Sequence, residues 1–189
     1  MPIYNNFDYI TIDAARIDEA CDVYFKWKDL NGYVRRNSTR GTNIPDTISE
    51  QMGCYCLDLL WNRGKIAGDA TNPRTGEIIE FKATSNFDGD LSSFGPRCQF
   101  DDLVFLRFDI DNNLLYVYDL HVDAEEFGSY PANKAQLIRD QQREGRRPHV
   151  SLKELFIDGT NMTPDIIFDI RRCEVNHRGS QRYNDLLRD

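Results

Sequence analysis

Leu103-Val104-Phe105-Leu106-Arg107-Phe108 restricts the architecture of this chain more than any other segment. Strand side chains alternate between faces, so a strand with one wet face alternates in polarity. A nearly continuous apolar run belongs to a strand covered on both faces. Leu114-Leu115-Tyr116-Val117-Tyr118 follows, and Asp111-Asn112-Asn113 between the two has the composition of a hairpin turn. A sheet buried on both sides needs helical layers around it. The expected fold class is therefore α/β, a central mixed β-sheet flanked by helices. At 189 residues the chain is long enough for one full core, and two halves would each be marginal, so 1–189 is expected to form a single domain.

Asp13 to Asp29 is predicted helical, with Ile17, Cys21 and Tyr24 on one face, Asp13 as cap and Asn31-Gly32 as stop. Such a helix packs on the core or forms a dimer. Arg35 to Gly41 then forms a polar, basic loop. A second helix is expected from Pro45 to about Trp61, with Ile48, Met52, Tyr55 and Leu59 on one stripe. Lys65 to Ala70 and Glu77 to Thr84 are predicted strands joined by Asn72-Pro73-Arg74-Thr75-Gly76, and Asp88 to Gly95 is a Gly- and Ser-rich loop. Later come a short helix from Ala132 to about Arg143, an ambiguous stretch from Val150 to Ile157, and a strand from Ile166 to Ile170. No window approaches 18 uninterrupted apolar residues, and Met1 to Asn6 lacks the regions of a secretory signal, which points to a cytoplasmic protein with no membrane partner. Cys21, Cys54, Cys56, Cys98 and Cys173 are scattered, without a CxxC, as suits a reducing compartment. His121, His149 and His177 complete no zinc pattern.

The chemistry is concentrated in Gly68-Asp69-Ala70 and Ile78-Ile79-Glu80-Phe81-Lys82-Ala83. Alternation puts Glu80 and Lys82 on one face and Ile79, Phe81 and Ala83 on the other. Asp69, on the partner strand, can come opposite Glu80, whereas Glu77, three residues from Glu80, faces away. Mg²⁺ takes a few carboxylate oxygens, keeps waters and accepts a substrate phosphate, so Asp69 and Glu80 are candidate metal ligands. Lys82 beside them suits orienting an attacking water and stabilising the charge of a phosphorane. Carboxylates without an ion fall short of the barrier, because general acid–base catalysis contributes only about 10²–10⁴-fold.

Asp69, ten intervening residues and Glu80-Phe81-Lys82 resemble the PD-(D/E)xK nuclease motif, most familiar in type II restriction endonucleases. The resemblance covers roughly residues 45–120, the expected catalytic core. It implies that the two acids bind Mg²⁺, that the lysine assists the water, and that Glu50 on the preceding helix supports them. Gly68 stands where the family name has Pro. The literal Pro45-Asp46 lies at a helix start, and Pro164-Asp165 follows the ExK in the wrong order. The implied protein is a sequence-specific, Mg²⁺-dependent endonuclease. It would cut double-stranded DNA at a short palindrome as a homodimer, with a cognate DNA methyltransferase as a separate protein. A GC-rich site such as GCNGC is the expectation from compact members of the group. The rivals are a structure-specific or repair nuclease with the same core, and a non-catalytic DNA-binding or protein-interaction domain.

Two basic segments, about 31–44 and 133–157, are expected to contact DNA. Arg35, Arg36 and Arg40 form one patch. Arg143, Arg146, Arg147 and His149 lie in the other, where six basic residues from Lys134 to Lys153 face only Asp140 and Glu144. Arg97 follows the catalytic strand and completes the set. The net charge of -8 opposes a polyanionic partner if spread evenly. It is not evenly spread: Asp101, Asp102, Asp109, Asp111, Asp119, Asp123, Glu125 and Glu126 face Arg107 alone within 101–130. That stretch is expected to point away from DNA.

Overall fold

The computed structural model describes residues 8–63 and 66–178. Its centre is an eight-stranded sheet: β1 (Tyr9–Thr11), β2 (Leu60–Asn62), β3 (Ala70–Thr71), β4 (Ile78–Thr84), β6 (Asp102–Asp109), β7 (Leu114–Asp119), β9 (Ile166–Asp169) and β10 (Glu174–Arg178), side by side in that order. β4 and β6 run parallel and the other paired neighbours run antiparallel, so the sheet is mixed. β5 (Ser92–Ser93) and β8 (His149–Val150) pair separately.

The apolar run of β6 is buried on both sides, as its composition requires. Val104, Leu106 and Phe108 join a cluster with helices α1 (Ala14–Asn37) and α2 (Asp46–Leu57). Leu103 and Phe105 join a second cluster, built from Phe94, Phe100, Phe127, Ile138, Leu152 and Phe156. The short helices α3 (Ala124–Gly128) and α4 (Ile138–Arg143) and a wide π-helical turn, Lys153–Asp158, supply that second layer. Arg107 is buried at the end of this face. Its guanidinium donates to the Phe87 carbonyl and lies 4.2 Å from the Phe87 ring centroid.

Several boundaries differ from expectation for identifiable reasons. α1 does not stop at Asn31-Gly32 but continues to Asn37, which places Arg35 and Arg36 in its last turn rather than in a loop. Gly32 costs about 1 kcal/mol relative to Ala in a helix. Burial of Tyr24, Trp27 and Asn31, whose Oδ1 accepts from Thr42 N at 2.9 Å, holds the helix together. α2 ends at Leu57 because Asp58 turns left-handed (φ 54), so Leu60–Asn62 becomes a strand between β1 and β3. Lys65, the expected start of the next strand, and Met1 to Asn6 lie outside the described residues. Only Ala70–Thr71 pairs as β3. The helix expected from Ala132 begins at Ile138, since Asn133 Oδ1 accepts from Ala135 N and Gln136 N and closes a turn instead. β1, β5, β8, β10 and α3 have no counterpart in the sequence expectations. Among the described residues, no helix is long and apolar enough to cross a membrane.

Candidate active site

The hairpin ladder between β3 and β4 ends at Ala70↔Ile79, with Asp69 N donating to Ile79 O at 2.9 Å. One residue further, Asp69 stands opposite Glu80. There the Asp69 side chain replaces the strand: its Oδ2 accepts from Phe81 N at 2.7 Å. Gly68 turns the chain at this point with φ +69, which Pro, fixed near φ −65°, cannot adopt. A Cβ at position 68 would lie 2.4 Å from Ile78 Cγ2. The departure from the literal motif is therefore dictated by the local backbone. Asn62 secures the turn from beneath, with its N–H on Asp69 O and its side chain bonded to Ala67 O and Thr71 Oγ1.

Because β4 is unpaired on that side beyond Glu80, α2 can present Glu50 at the opening. Glu50 Oε2 accepts from Trp61 Nε1 at 2.8 Å. The helix approaches β4 closely at Gly53, where a Cβ would be 2.9 Å from the Phe81 ring. Lys82 donates to Glu80 Oε1, and its Nζ lies 5.1 Å from the Phe94 ring centroid. Asp69, Glu50 and Lys82 line a cavity of about 690 Å³ together with Asn43, Ser85 and Ser92.

Burial first, then the charges of Glu80 and Glu50, hold the Asp69 carboxyl up at about 7. Glu50 is also raised, mainly by burial, and Asp46 and Glu80 add to it. Burial works against the Lys82 charge, yet the Glu80 charge and hydrogen bond and the Asp69 charge outweigh it and leave the ammonium's pKa raised. Asp69 and Glu50 thus line the opening with Lys82, and Glu80 is held against the Lys82 ammonium, so acidic groups outnumber the one lysine. Carboxylate oxygens are the donors a hard divalent cation takes, and among the described residues the three groups whose ligand atoms lie within 4.8 Å of one another are Asp102, Asp119 and His121 rather than these acids.

The basic residues are distributed on two rims. Arg35 and Arg40 line a neighbouring cavity of about 500 Å³ that shares Asn43, Ser85 and Asn86 with the first; Arg36 is exposed on the same last turn. On the other side, β8 pairs Ser93 with His149, and Gln142 Nε2 donates to Gly95 O at 3.0 Å. Together these stitch the segment holding Arg143, Arg146, Arg147 and His149 to the loop holding Arg97, and all five side chains are exposed. Arg146 is engaged by Glu144 at the 2.5 Å ion-pair distance. The expected segregation of acids to a far face is not what the fold does. Asp109 and Asp111 line the cavity with Arg35 and Arg40, and Glu125 shares a smaller one with Arg139 and Arg143. The β6–β7 turn and the end of α1 meet at the same end of the sheet, so acidic and basic residues interleave.

Three features were invisible in the sequence. Phe94, read there only as part of a loop, lies fully buried beside the Lys82 ammonium. Cys98 hydrogen-bonds Glu80, and burial followed by the Glu80 charge pushes its thiol up to about 12. His121, which matches no sequence pattern, meets Asp102 and Asp119 with ligand-type atoms all within 4.8 Å. Its Nδ1 is 2.7 Å from Asp119 Oδ1. Adjacent strands bring these three together, and their spacing in the chain carries no signal of it.

The sequence pattern of the Bsp6I restriction endonuclease family matches residues 12–159, from just before α1 to the end of the π-helical turn, and so takes in both rims and the hairpin. The type II restriction enzyme Bsp6I of Bacillus sp. (strain RFL6) is 40% identical over 168 residues, which span 89% of this chain and 96% of that enzyme. No solved structure matches the chain significantly. On that similarity the chain belongs to the Bsp6I restriction endonuclease family and is a type II restriction endonuclease.

Proposed function

We propose that the whole chain works as one endonuclease domain that hydrolyses phosphodiester bonds in double-stranded DNA at a short palindrome, in the cytoplasm, as a homodimer. A separate cognate methyltransferase would protect the host DNA. The observation that carries the reading is the Asp69 carboxylate taking the place of the missing strand beside Glu80 and Lys82, with Glu50 at the same opening.

Asp69 and Glu80, with Glu50 as a supporting contact, would hold Mg²⁺. Bound there, the ion would offset their mutual repulsion and supply Lewis-acid stabilisation of charge at the scissile phosphate. Lys82 is restrained on one side by Glu80 and on another by the Phe94 ring. Its ammonium is thereby positioned to donate to an attacking water and to stabilise charge developing on the phosphoryl oxygens. Arg35 and Arg40 on one rim, and Arg97, Arg143, Arg146, Arg147 and His149 on the other, provide cations for the DNA backbone and donors for base edges.

Incubation of purified protein with a sequenced phage genome in Mg²⁺ tests this directly. Discrete fragments are expected, with ends that map to one palindrome; GCNGC is the first to examine. Chelation of the metal, or Asp69→Ala, Glu80→Ala or Lys82→Ala, should abolish cutting. Cutting confined to branched or mismatched DNA would replace the restriction reading with that of a structure-specific nuclease. Unchanged cutting by Lys82→Ala and Asp69→Ala would remove the catalytic assignment.

A further inference from the structure

Of the four large apolar side chains exposed among the described residues, three lie on one stripe of α1: Val23 at 38%, Leu30 at 55% and Tyr33 at 61%. The opposite side of the helix, through Ile17, Cys21, Tyr24 and Trp27, is spent on the core. The outward stripe is completed by Glu19, Asp22, Lys26, Asp29 and Arg36, all exposed. Its central positions, 19, 23, 26, 30, 33 and 37, of which 23, 30 and 33 are apolar, alternate steps of four and three, the spacing at which two helices meet along a seam.

The charges on this stripe are ordered. Glu19 and Asp22 follow Arg16 in the N-terminal half and Arg36 stands at the C-terminal end, with Lys26 and Asp29 near the middle. A parallel copy would set Asp22 on Asp22 and Arg36 on Arg36. An antiparallel copy, related by a two-fold axis passing near Lys28, does the reverse. Val23 then meets Tyr33 of the second copy, Lys26 meets Leu30 and Asp29, and Glu19 and Asp22 meet Arg36. Each contact occurs twice, as an isologous interface demands. The mixture of signs also makes the stripe a poor surface for DNA, which selects unbroken positive charge.

We propose that this outward stripe of α1 is the dimer interface, occupied by the same stripe of a second copy in antiparallel orientation. The inference rests on the two-fold reading of the enzyme given above and names the surface that makes it. It has a geometric consequence. The last turns of the two α1 helices, which carry Arg36 and lead into the cavities beside the active sites, fall about 24 Å apart on opposite sides of the axis, at 1.5 Å per residue. One helix pair buries less than the roughly 1,600 Å² of a standard interface, so the dimer belongs to the weaker, concentration-dependent class.

The test is a charge exchange followed by sedimentation equilibrium on the full chain from about 1 to 100 µM, the range where such interfaces dissociate. The parent is expected to approach twice its 22.0 kDa mass. Lys26→Glu and Asp29→Lys, both at exposed positions, should each weaken dimerisation at least about ten-fold. The double variant should recover it, and an equimolar mixture of the two single variants should form the heterodimer, because the swapped charges are then opposed again. A parent monomeric throughout the range overturns the interface, and so does a parent whose dimer neither single variant weakens. Cleavage is read separately on each protein. A monomer that still cuts DNA removes this surface and leaves the active site standing, whereas a dimer that cuts nothing removes the active-site reading and leaves the surface.

Discussion

Replacing Gly53 by alanine tests how α2 and the catalytic strand share their spacing. The new Cβ would sit 2.9 Å from Cε1 and Cζ of Phe81 and 3.1 Å from Leu106 Cδ1. Comfortable carbon–carbon separation is about 3.5–4.0 Å, so the helix and strand must part by somewhat under about 1 Å, or the buried Phe81 ring must tilt. Overpacking of this size costs about 1–3 kcal/mol, and alanine regains about 1 kcal/mol of helix propensity. The net loss is therefore about 0–2 kcal/mol, a fall in melting temperature of at most about 8 °C for a chain of this length. Activity should suffer more than stability. Glu50 rides on α2 and Glu80 and Lys82 flank Phe81, so the same displacement separates the carboxylates. A misplacement of about 1 Å costs on the order of 10²-fold in rate. The assay is initial-rate cleavage of plasmid DNA beside thermal unfolding, with Gly53→Ala/Phe81→Leu as the relieving double variant. The expected pattern is a ten- to hundred-fold slower single variant, folded at the assay temperature, and substantial recovery in the double. Full activity in Gly53→Ala would refute the reasoning, because Glu50 would then have no fixed relation to Asp69 and Glu80.

Phe94→Leu should lower kcat about 5- to 30-fold with KM little changed. It removes the ring beside the Lys82 ammonium, an interaction of about 1–2 kcal/mol in a desolvated site; a KM effect alone would place Phe94 in DNA binding instead. Hydrogen bonds that the His121 ring donates to the Asp102 and Asp119 carboxylates raise His121 from 6.5 to about 10. The folded protein therefore keeps a proton that the unfolded chain releases above about pH 6.5, and stability falls as pH rises from there toward 10. Urea midpoints should drop between about pH 6.5 and 8.5 in the parent and stay flatter in His121→Asn, a residue that tolerates the local φ of 51. An equal slope in both proteins would remove His121 from that role.

Much of this molecule is legible in its sequence alone. Period-two alternation alone put Glu80 and Lys82 on one face of a strand, and the unbroken run from Leu103 to Phe108 required cover on both sides. Both follow from local stereochemistry, which depends only on the order of residues. Asp13 as a cap is equally local. Where tertiary burial overrode local preference, the sequence was silent or pointed elsewhere. Asn31-Gly32 looks like a helix stop, but the buried Asn31 is bonded across to Thr42, and so Arg35 and Arg36 ended on a helix. Asp58 in the left-handed region converted the expected end of a helix into β2. The hairpin register opposite Glu80 could be expected, but that the Asp69 carboxylate would bond Phe81 N, with Glu50 beside it, depended on β3 being only two residues long. The meeting of His121 with Asp102 and Asp119, the placement of Phe94 beside Lys82, and the interleaving of Asp109 and Asp111 with Arg35 and Arg40 arise from strand order and loop return. Those are properties of how distant segments pack, set by burial summed over the whole core, and no window of the chain encodes them by itself.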